Sequence, residues 1–174
     1  STGRAPDEAR SKGLGKALQM MNAFTVRQIT AAETRPVRHI VLWPHKENVE
    51  ECVIDVDAAP HAHHVGAFDE SGVLVGVCSM FHQRSERFPG AISSDQRVYR
   101  LRVMGTLNEV RGQGAGAAII DYACQWCKSK GVNWIWCDAR EIAFPFYEKQ
   151  GFSFLSELYE VHPVGPHRMM ARKL

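Results

Sequence analysis

The sequence predicts a mixed α/β fold (α+β in character), built on one central, mostly antiparallel sheet flanked by helices. Stretches 24–29 and 97–107 alternate in polarity, the period of half-buried strands, and 63–69 and 73–82 read as two more strands about a turn. Two longer stretches, 31–42 and 112–130, space their apolar residues as helices do. The resulting order is strand, helix, several antiparallel strands, helix, strand, helix and strands, a mixed arrangement around one sheet. At 174 residues the chain is long enough for one domain with a buried core and short for two. We assign that domain to residues 22–174. Residues 1–21 read as a tail or leader: they carry Gly3, Gly13 and Gly15 among mixed charges, have no apolar core of the kind a signal peptide needs, and end on Met20-Met21, a natural start.

Each element has its own reason. Phe24-Thr25-Val26-Arg27-Gln28-Ile29 alternates apolar and polar, a strand. Thr30 then opens a helix with Val37, Ile40 and Val41 on its apolar side and Pro36 early, and Trp43-Pro44 ends it. Residues 44–62 are polar and irregular. Strands at 63–69 and 73–82 are joined through Glu70-Ser71-Gly72 into a hairpin. Residues 83–96 form a charged loop, and 97–107 a strand in which Val98, Leu101 and Val103 interrupt Arg97, Arg100 and Arg102. The 112–130 helix stops at Gly131. Val132–Ala139 is a short buried strand, 141–150 a helix stopped by Gly151, and strands close the chain at 152–160 and 167–173.

Composition narrows the function. Hydrophobic residues make up 45% and charged residues 23%, which excludes a disordered chain, a collagen and a coiled coil. Twenty-one basic against nineteen acidic residues leave +2, a balance that points to neither nucleic acid nor a membrane as partner. Five irregularly spaced cysteines, Cys52, Cys78, Cys124, Cys127 and Cys137, read as reduced thiols in a cytoplasmic protein. Cys124 and Cys127 have the spacing of half a zinc site, but they sit mid-helix beside Ala123 and Trp126, so packing explains them and no metal is expected. His61-Ala62-His63-His64 reads the same way, as a polar loop entering a strand.

The informative segment is Val110-Arg111-Gly112-Gln113-Gly114-Ala115-Gly116-Ala117, between a strand and a long helix. Its glycines allow a tight turn and a close backbone approach, and the N–H groups of residues 112–117 at a helix start suit a phosphate or pyrophosphate. Arg111 adds a fixed positive charge. A structural Gly-rich turn is the bland alternative. No lysine follows, so it is not a P-loop. Gly112, Gly114 and Ala117 formally fit a dinucleotide fingerprint, with Asp138 downstream, although the antiparallel strands upstream are the wrong setting for one.

Two motifs together carry a family resemblance. Arg111-Gly112-Gln113-Gly114-Ala115-Gly116 resembles the R-G-x-G-x-G signature of the GNAT superfamily of N-acetyltransferases. Ala143-Phe144-Pro145-Phe146-Tyr147-Glu148-Lys149-Gln150-Gly151-Phe152 resembles that family's second signature at the right separation. Arg38, Val41–Pro44, His64–Ala67 and Gly165–Met169 are further similar to the ElaA-like branch. Two positions depart from the usual pattern: Asn108 stands where many members have Pro, and Arg140 where many have an Asn seven residues before the tyrosine.

The resemblance implies acetyl-CoA as co-substrate, an amine acceptor, no metal, and a monomer or homodimer. The pyrophosphate would lie on residues Gly112, Gln113, Gly114, Ala115, Gly116 and Ala117 beside Arg111, the pantetheine arm along Met104, Gly105 and Thr106, and Arg140 would take the place of the missing Asn contact. Tyr147 would donate to the departing thiolate, since a phenol near pKa 10 suits a thiol near about 8.5. His167 is the candidate base, alongside His64, His82, Asp138, Glu141 or a water relay. Arg102 and His64 are candidate acceptor contacts. Arg100, Arg102 and Met104 are expected on one strand face, which would bring Arg102 near the thioester and favour an acceptor with a carboxylate close to its amine. A non-catalytic acyl-CoA-binding module and a dinucleotide-binding protein remain the alternatives.

Overall fold

The computed structural model describes residues 23–174; the expectations for residues 1–21, their boundary with the domain at residue 22 included, fall outside them. Strands β1 (Thr25–Ile29), β2 (His63–Phe68), β3 (Leu74–Phe81), β4 (Val98–Thr106), β5 (Trp134–Arg140), β6 (Ser153–Phe154), β7 (Tyr159–Val161) and β8 (Gly165–Lys173) form one sheet. Its order is β1-β2-β3-β4-β5-β8-β6, with β7 paired to β8. Only β4 and β5 run parallel; the other pairs are antiparallel. The helices are α1 (Ala31–Val41), α2 (Ala115–Ser129) and α3 (Phe144–Lys149).

Helix α1 starts where a capping box forms: the Glu33 N–H donates to Thr30 Oγ1 at 3.2 Å and the Thr30 N–H to Glu33 Oε1 at 3.0 Å. Val37 of α1 packs with Ile29 and Val77 on one sheet face. On the other face α2 buries Ile119, Ile120, Ala123, Cys124 and Cys127 against Val65, Tyr99, Leu101, Ile135 and Met170. Burial of this apolar face, about 25 cal/mol per Å² removed from water, holds the two layers together.

Several boundaries differ from the sequence reading. The 112–130 segment is helical only from Ala115; residues before it form turns, because Gly112 and Gly114 adopt φ of +75° and +92°, outside the helical region. The 152–160 stretch breaks into β6 and β7. Residues 44–62 contain short 3₁₀ turns at Val49–Glu51 and Asp55–Ala58.

One difference changes the site. Arg102 pairs with Ser79 and Gly105 with Val77, so β4 has one more residue than β3 over that interval. The extra residue makes a bulge, and Val103 within it has φ +47°. A β-branched residue in that region costs about 1–3 kcal/mol, which surrounding packing must offset. The bulge reverses side-chain alternation. Met104 packs with Leu101, Tyr99 and Tyr147 on the α2 face, while Arg100 and Arg102 stay on the α1 face. The expectation that Arg100, Arg102 and Met104 share a face is therefore corrected.

Candidate active site

Pairing between β4 and β5 stops at Arg100 and Trp136, yet β4 runs on to Thr106 and β5 to Arg140. The strands splay, and the sheet opens. Beyond Arg100 the edge of β4 that faces β5 has no strand partner, so Met104, Gly105 and Thr106 present free backbone there. A Cβ at Gly105 would lie 2.8 Å from Val41, so glycine here also lets α1 approach β4.

On the α2 side lies a cavity of about 640 Å³ lined by Met104, Gly105, Thr106, Arg111, Gly112, Gly114, Ala115, Gly116, Ala117 and, from the far wall, Ile142, Phe146, Tyr147 and Lys149. Helix α2 has no side-chain cap at Gly114, so its first N–H groups face this space unbonded. The backbone fits an anion of the pyrophosphate kind: N–H groups converge, the helix dipole is positive there, and nothing lies within 4 Å of a Cβ built on Gly112 or Gly114. The motif residues divide their labour. Gly116 is needed for packing, since a Cβ there would sit 3.1 Å from the Phe146 ring. Gln113 turns away: its N–H donates to the Val110 carbonyl at 3.1 Å and its Nε2 to the Glu109 carbonyl at 3.0 Å.

On the α1 side lies a second cavity, about 420 Å³, lined by Leu42 and Trp43 after α1, Arg100–Met104, Cys137–Arg140, Tyr147, Tyr159, Val161, Val164 and His167. Met104, Ala143 and Tyr147 line both cavities, and so mark where they meet through the open sheet. Tyr147 is buried, its Oη 3.8 Å from Met104 Sδ. Burial pushes its phenol well above the usual value, with the Cys137 thiol beside it adding to the effect, so the hydroxyl keeps its proton at any working pH.

His167 is buried on β8, opposite Arg140 on β5, and its ring stacks on Tyr159. Its Nδ1 lies 2.8 Å from the Gly165 carbonyl, which can only accept, so Nδ1 carries the proton and Nε2 is left as the basic nitrogen. Asp138 accepts from Arg100 at 2.8 Å and from the Tyr159 hydroxyl, and burial with this bond drives the Tyr159 phenol upward. Arg87 lies over the Tyr159 ring at 4.3 Å. The Arg102 side chain is half-buried and makes no hydrogen bond or close ion pair among the described residues, although Asp55, Asp57 and Asp138 act on its charge. Burial, with Arg100 beside it, pulls its guanidinium below the usual value.

His64 is not brought to the cleft. Its Nδ1 is 2.6 Å from Ser79 Oγ and its Nε2 2.9 Å from the Asp57 carbonyl. The same buried network holds Arg38, which donates to Asp57 at 2.7 and 2.9 Å and to Ser79 at 3.0 Å. Burial, the largest single influence, raises the Asp57 carboxyl, but the bonds from Arg38 and the Ile54 N–H, together with the Arg38 and His64 charges, leave it lowered. His82 stacks on Tyr99, remote from the gap. All five cysteines are free and buried, with burial pushing Cys127 up to about 12. Among the described residues no cluster of His, Cys, Asp or Glu has the arrangement of a metal site.

Sequence reading did not find Leu42, Trp43, Arg87, Tyr159, Val161 or Val164 in the wall of the α1-side cavity. These come from three separate segments, 42–43, 87 and 159–164, and no local spacing joins one to another.

Comparison with known proteins agrees with this geometry. The model of the acetyltransferase (GNAT) family matches residues 25–152. The chain is 32% identical over 149 residues to YitI of Bacillus subtilis strain 168, described as an uncharacterized N-acetyltransferase; the match covers 86% of this chain and 95% of that protein. Two solved structures share the fold. FeeM, an N-acyl amino acid synthase from uncultured soil microbes, has a TM-score of 0.65 at 14% identity, covering 86% of this chain and 90% of its own. ElaA of Escherichia coli has a TM-score of 0.62 at 16% identity, covering 86% and 97%. Among the described residues no helix is long and apolar enough to cross a membrane.

Proposed function

The chain belongs to the GNAT acetyltransferase family, and from that membership we propose that it moves an acetyl group from acetyl-CoA, bound on the α2 side, to a primary amine entering from the α1 side. The observation that carries this reading is the position of Tyr147, in the wall common to both cavities at the point where the sheet opens.

The free N–H groups of Gly112 and Gly114–Ala117 hold the pyrophosphate, with Arg111 beside them. The unpaired edge of Met104–Thr106 takes the pantetheine arm as a strand would, and one N–H of that edge polarises the thioester carbonyl. His167 Nε2 accepts the proton that the amine must lose, its tautomer set by the Gly165 carbonyl. The nitrogen forms the new C–N bond, the C–S bond breaks, and sulfur leaves as thiolate. Tyr147 Oη hydrogen-bonds that thiolate. Because burial lifts the phenol far above the roughly 8.5 of a thiol, stabilising the developing charge is a better role for it than full proton transfer.

On the acceptor side Arg102 supplies a cation to which no carboxylate is hydrogen-bonded, although Asp55, Asp57 and Asp138 act on its charge from nearby, and this favours a small-molecule amine that also bears a carboxylate. Arg140, expected among the coenzyme A contacts, lines this α1-side cavity and not the α2-side one, and there it offers a second cationic contact. FeeM, which shares the fold, is named for N-acyl amino acid synthesis, a product of that type. Reduced, buried thiols suit a cytoplasmic setting. The test is release of free coenzyme A thiol from acetyl-CoA in the presence of an amine panel. Amine-dependent thiol release is expected; binding of acetyl-CoA with no transfer to any amine would reduce the protein to an acyl-CoA-binding module.

A further inference from the structure

One wall of the acceptor cavity is organised around Tyr159, a residue to which the reaction above gives no part. Tyr159 lies on β7 directly opposite His167 of β8, and such cross-strand partners share a sheet face. Their rings stack, with centroids 6.0 Å apart and planes inclined at 27°. From β7 the Tyr159 hydroxyl reaches across β8 and donates to Asp138 of β5. Asp138 is in turn fixed by Arg100, 2.8 Å away.

The 83–96 loop grips the same ring. Arg84 donates to the carbonyls of Ile92, Ser93, Ser94 and Gln96, which ties the loop to itself. Between those ties the loop presents Arg87, 4.3 Å from the Tyr159 ring centre, and Phe88, whose ring centre is 5.4 Å away. Tyr159 is thus held by a charge-assisted hydrogen bond, a cation–π contact and an aromatic contact. Burial and the bond to Asp138 drive its phenol upward, so the hydroxyl stays a donor and the anchor persists at any working pH.

The consequence falls on His167. The terminal torsion of a histidine is broad, so its ring needs constraints from outside. The Gly165 carbonyl, 2.8 Å from Nδ1, supplies one in the plane of the ring. The stacked Tyr159 supplies the other on its face and opposes a tilt that would break the Nδ1 bond. When Nε2 takes a proton, the resulting cation lies against an aromatic face, which favours it. We propose that Tyr159, anchored by Asp138 and gripped by Arg87 and Phe88, is the positioning residue of the base: it keeps Nδ1 of His167 on the Gly165 carbonyl and Nε2 free for the amine proton. This rests on the acetyl-transfer reading above, with His167 as its base.

Two measurements test this. Nitrogen-15 NMR of the imidazoles in alkaline buffer, with His167→Gln identifying the His167 signals, reads the tautomer without any acceptor. Wild type should show one Nδ1–H tautomer, Tyr159→Phe, which keeps the ring, nearly the same, and Tyr159→Leu a mixture of both. The second is a mutant cycle in thiol release from acetyl-CoA, with the common α-amino acids as acceptors and the fastest of them used throughout. Tyr159→Leu should lower kcat about tenfold and Tyr159→Phe about threefold, with the acceptor KM within about twofold of wild type. In a His167→Gln background both losses should vanish, because Tyr159 acts only through the imidazole. A tyrosine that merely supports the fold would cost the same factor whichever residue stands at 167. Calorimetry with acetyl-CoA checks that each variant is folded; should Tyr159→Leu not fold, Tyr159→Phe carries the cycle. A single Nδ1–H tautomer in Tyr159→Leu, a rate loss that persists without His167, or an unaltered kcat in His167→Gln overturns the assignment. If no amino acid is acetylated, the tautomer result decides alone. Failure of the wild type to bind acetyl-CoA overturns the acetyl-transfer reading itself.

Discussion

The two sides of the open sheet are built differently. The α2 side is made mainly from consecutive residues, 104–106 and 110–117, completed by α3. Its chemistry is backbone chemistry: positive-φ glycines, free N–H groups at a helix start and an unpaired strand edge. The α1 side is assembled from residues as far apart as Leu42, Arg87, Arg102, Asp138, Tyr159 and His167, and its chemistry belongs to side chains. A site made of backbone recognises what every acyl-CoA shares. A site made of scattered side chains can change one residue at a time and is where acceptor choice resides.

That contrast can be broken by experiment. The largest effect is expected at Gly114. Gly114→Val forces a β-branched residue to φ +92° at the helix start and should weaken acetyl-CoA binding by about 100-fold or more, measured by calorimetry, with circular dichroism showing the sheet and helices intact. Undiminished affinity would mean that the loop holds nothing. Next, Tyr147→Phe should lower kcat by about 100-fold while leaving the acetyl-CoA dissociation constant nearly unchanged, because the hydroxyl acts on a charge present only late in the reaction. An unaltered kcat would make Tyr147 a packing residue.

His63 sharpens the comparison by separating folding from binding. It lies away from both cavities, stacked on Trp126 and hydrogen-bonded to the Tyr122 hydroxyl at 2.9 Å. Burial, with His64 and Lys130 adding to it, lowers its pKa from 6.5 to about 4. The folded state therefore favours the neutral ring. Its contribution is complete above pH 6.5 and is lost as pH falls toward 4, on the order of 2–3 kcal/mol. Denaturant melts at pH 7 and pH 4 should show that loss, and His63→Phe, which keeps an aromatic ring on Trp126, should shrink it. A pH dependence identical in the variant would remove His63 as the cause.

The two sides also differed in how far the sequence disclosed them. The sheet, the helices and the glycine loop were legible because each leaves a local pattern: alternating polarity in the sequences of β1 and β4, a turn at Glu70-Ser71-Gly72 between β2 and β3, period 3.6 in α2, and turn glycines before Ala115. The place of Tyr147 was legible because it sits in a contiguous motif. The bulge was not, since Val103 has positive φ and a β-branched residue signals nothing of the kind. With it went the true direction of Arg102. His64 misled because a histidine at a strand start has the same sequence whether it faces a cleft or a buried Ser79. The division of 152–160 into β6 and β7 depends on what β8 can pair with, which is a tertiary fact.

The central claim is that two substrates meet from opposite faces of one sheet, each held by its own machinery. Titration calorimetry of acetyl-CoA into wild type, Gly114→Val and Arg102→Gln tests it directly. The account predicts one strong site in wild type, an affinity within about twofold of it in Arg102→Gln, and binding lost in Gly114→Val. Binding abolished by Arg102→Gln and preserved in Gly114→Val would contradict it, because acetyl-CoA would then lie on the face assigned to the amine.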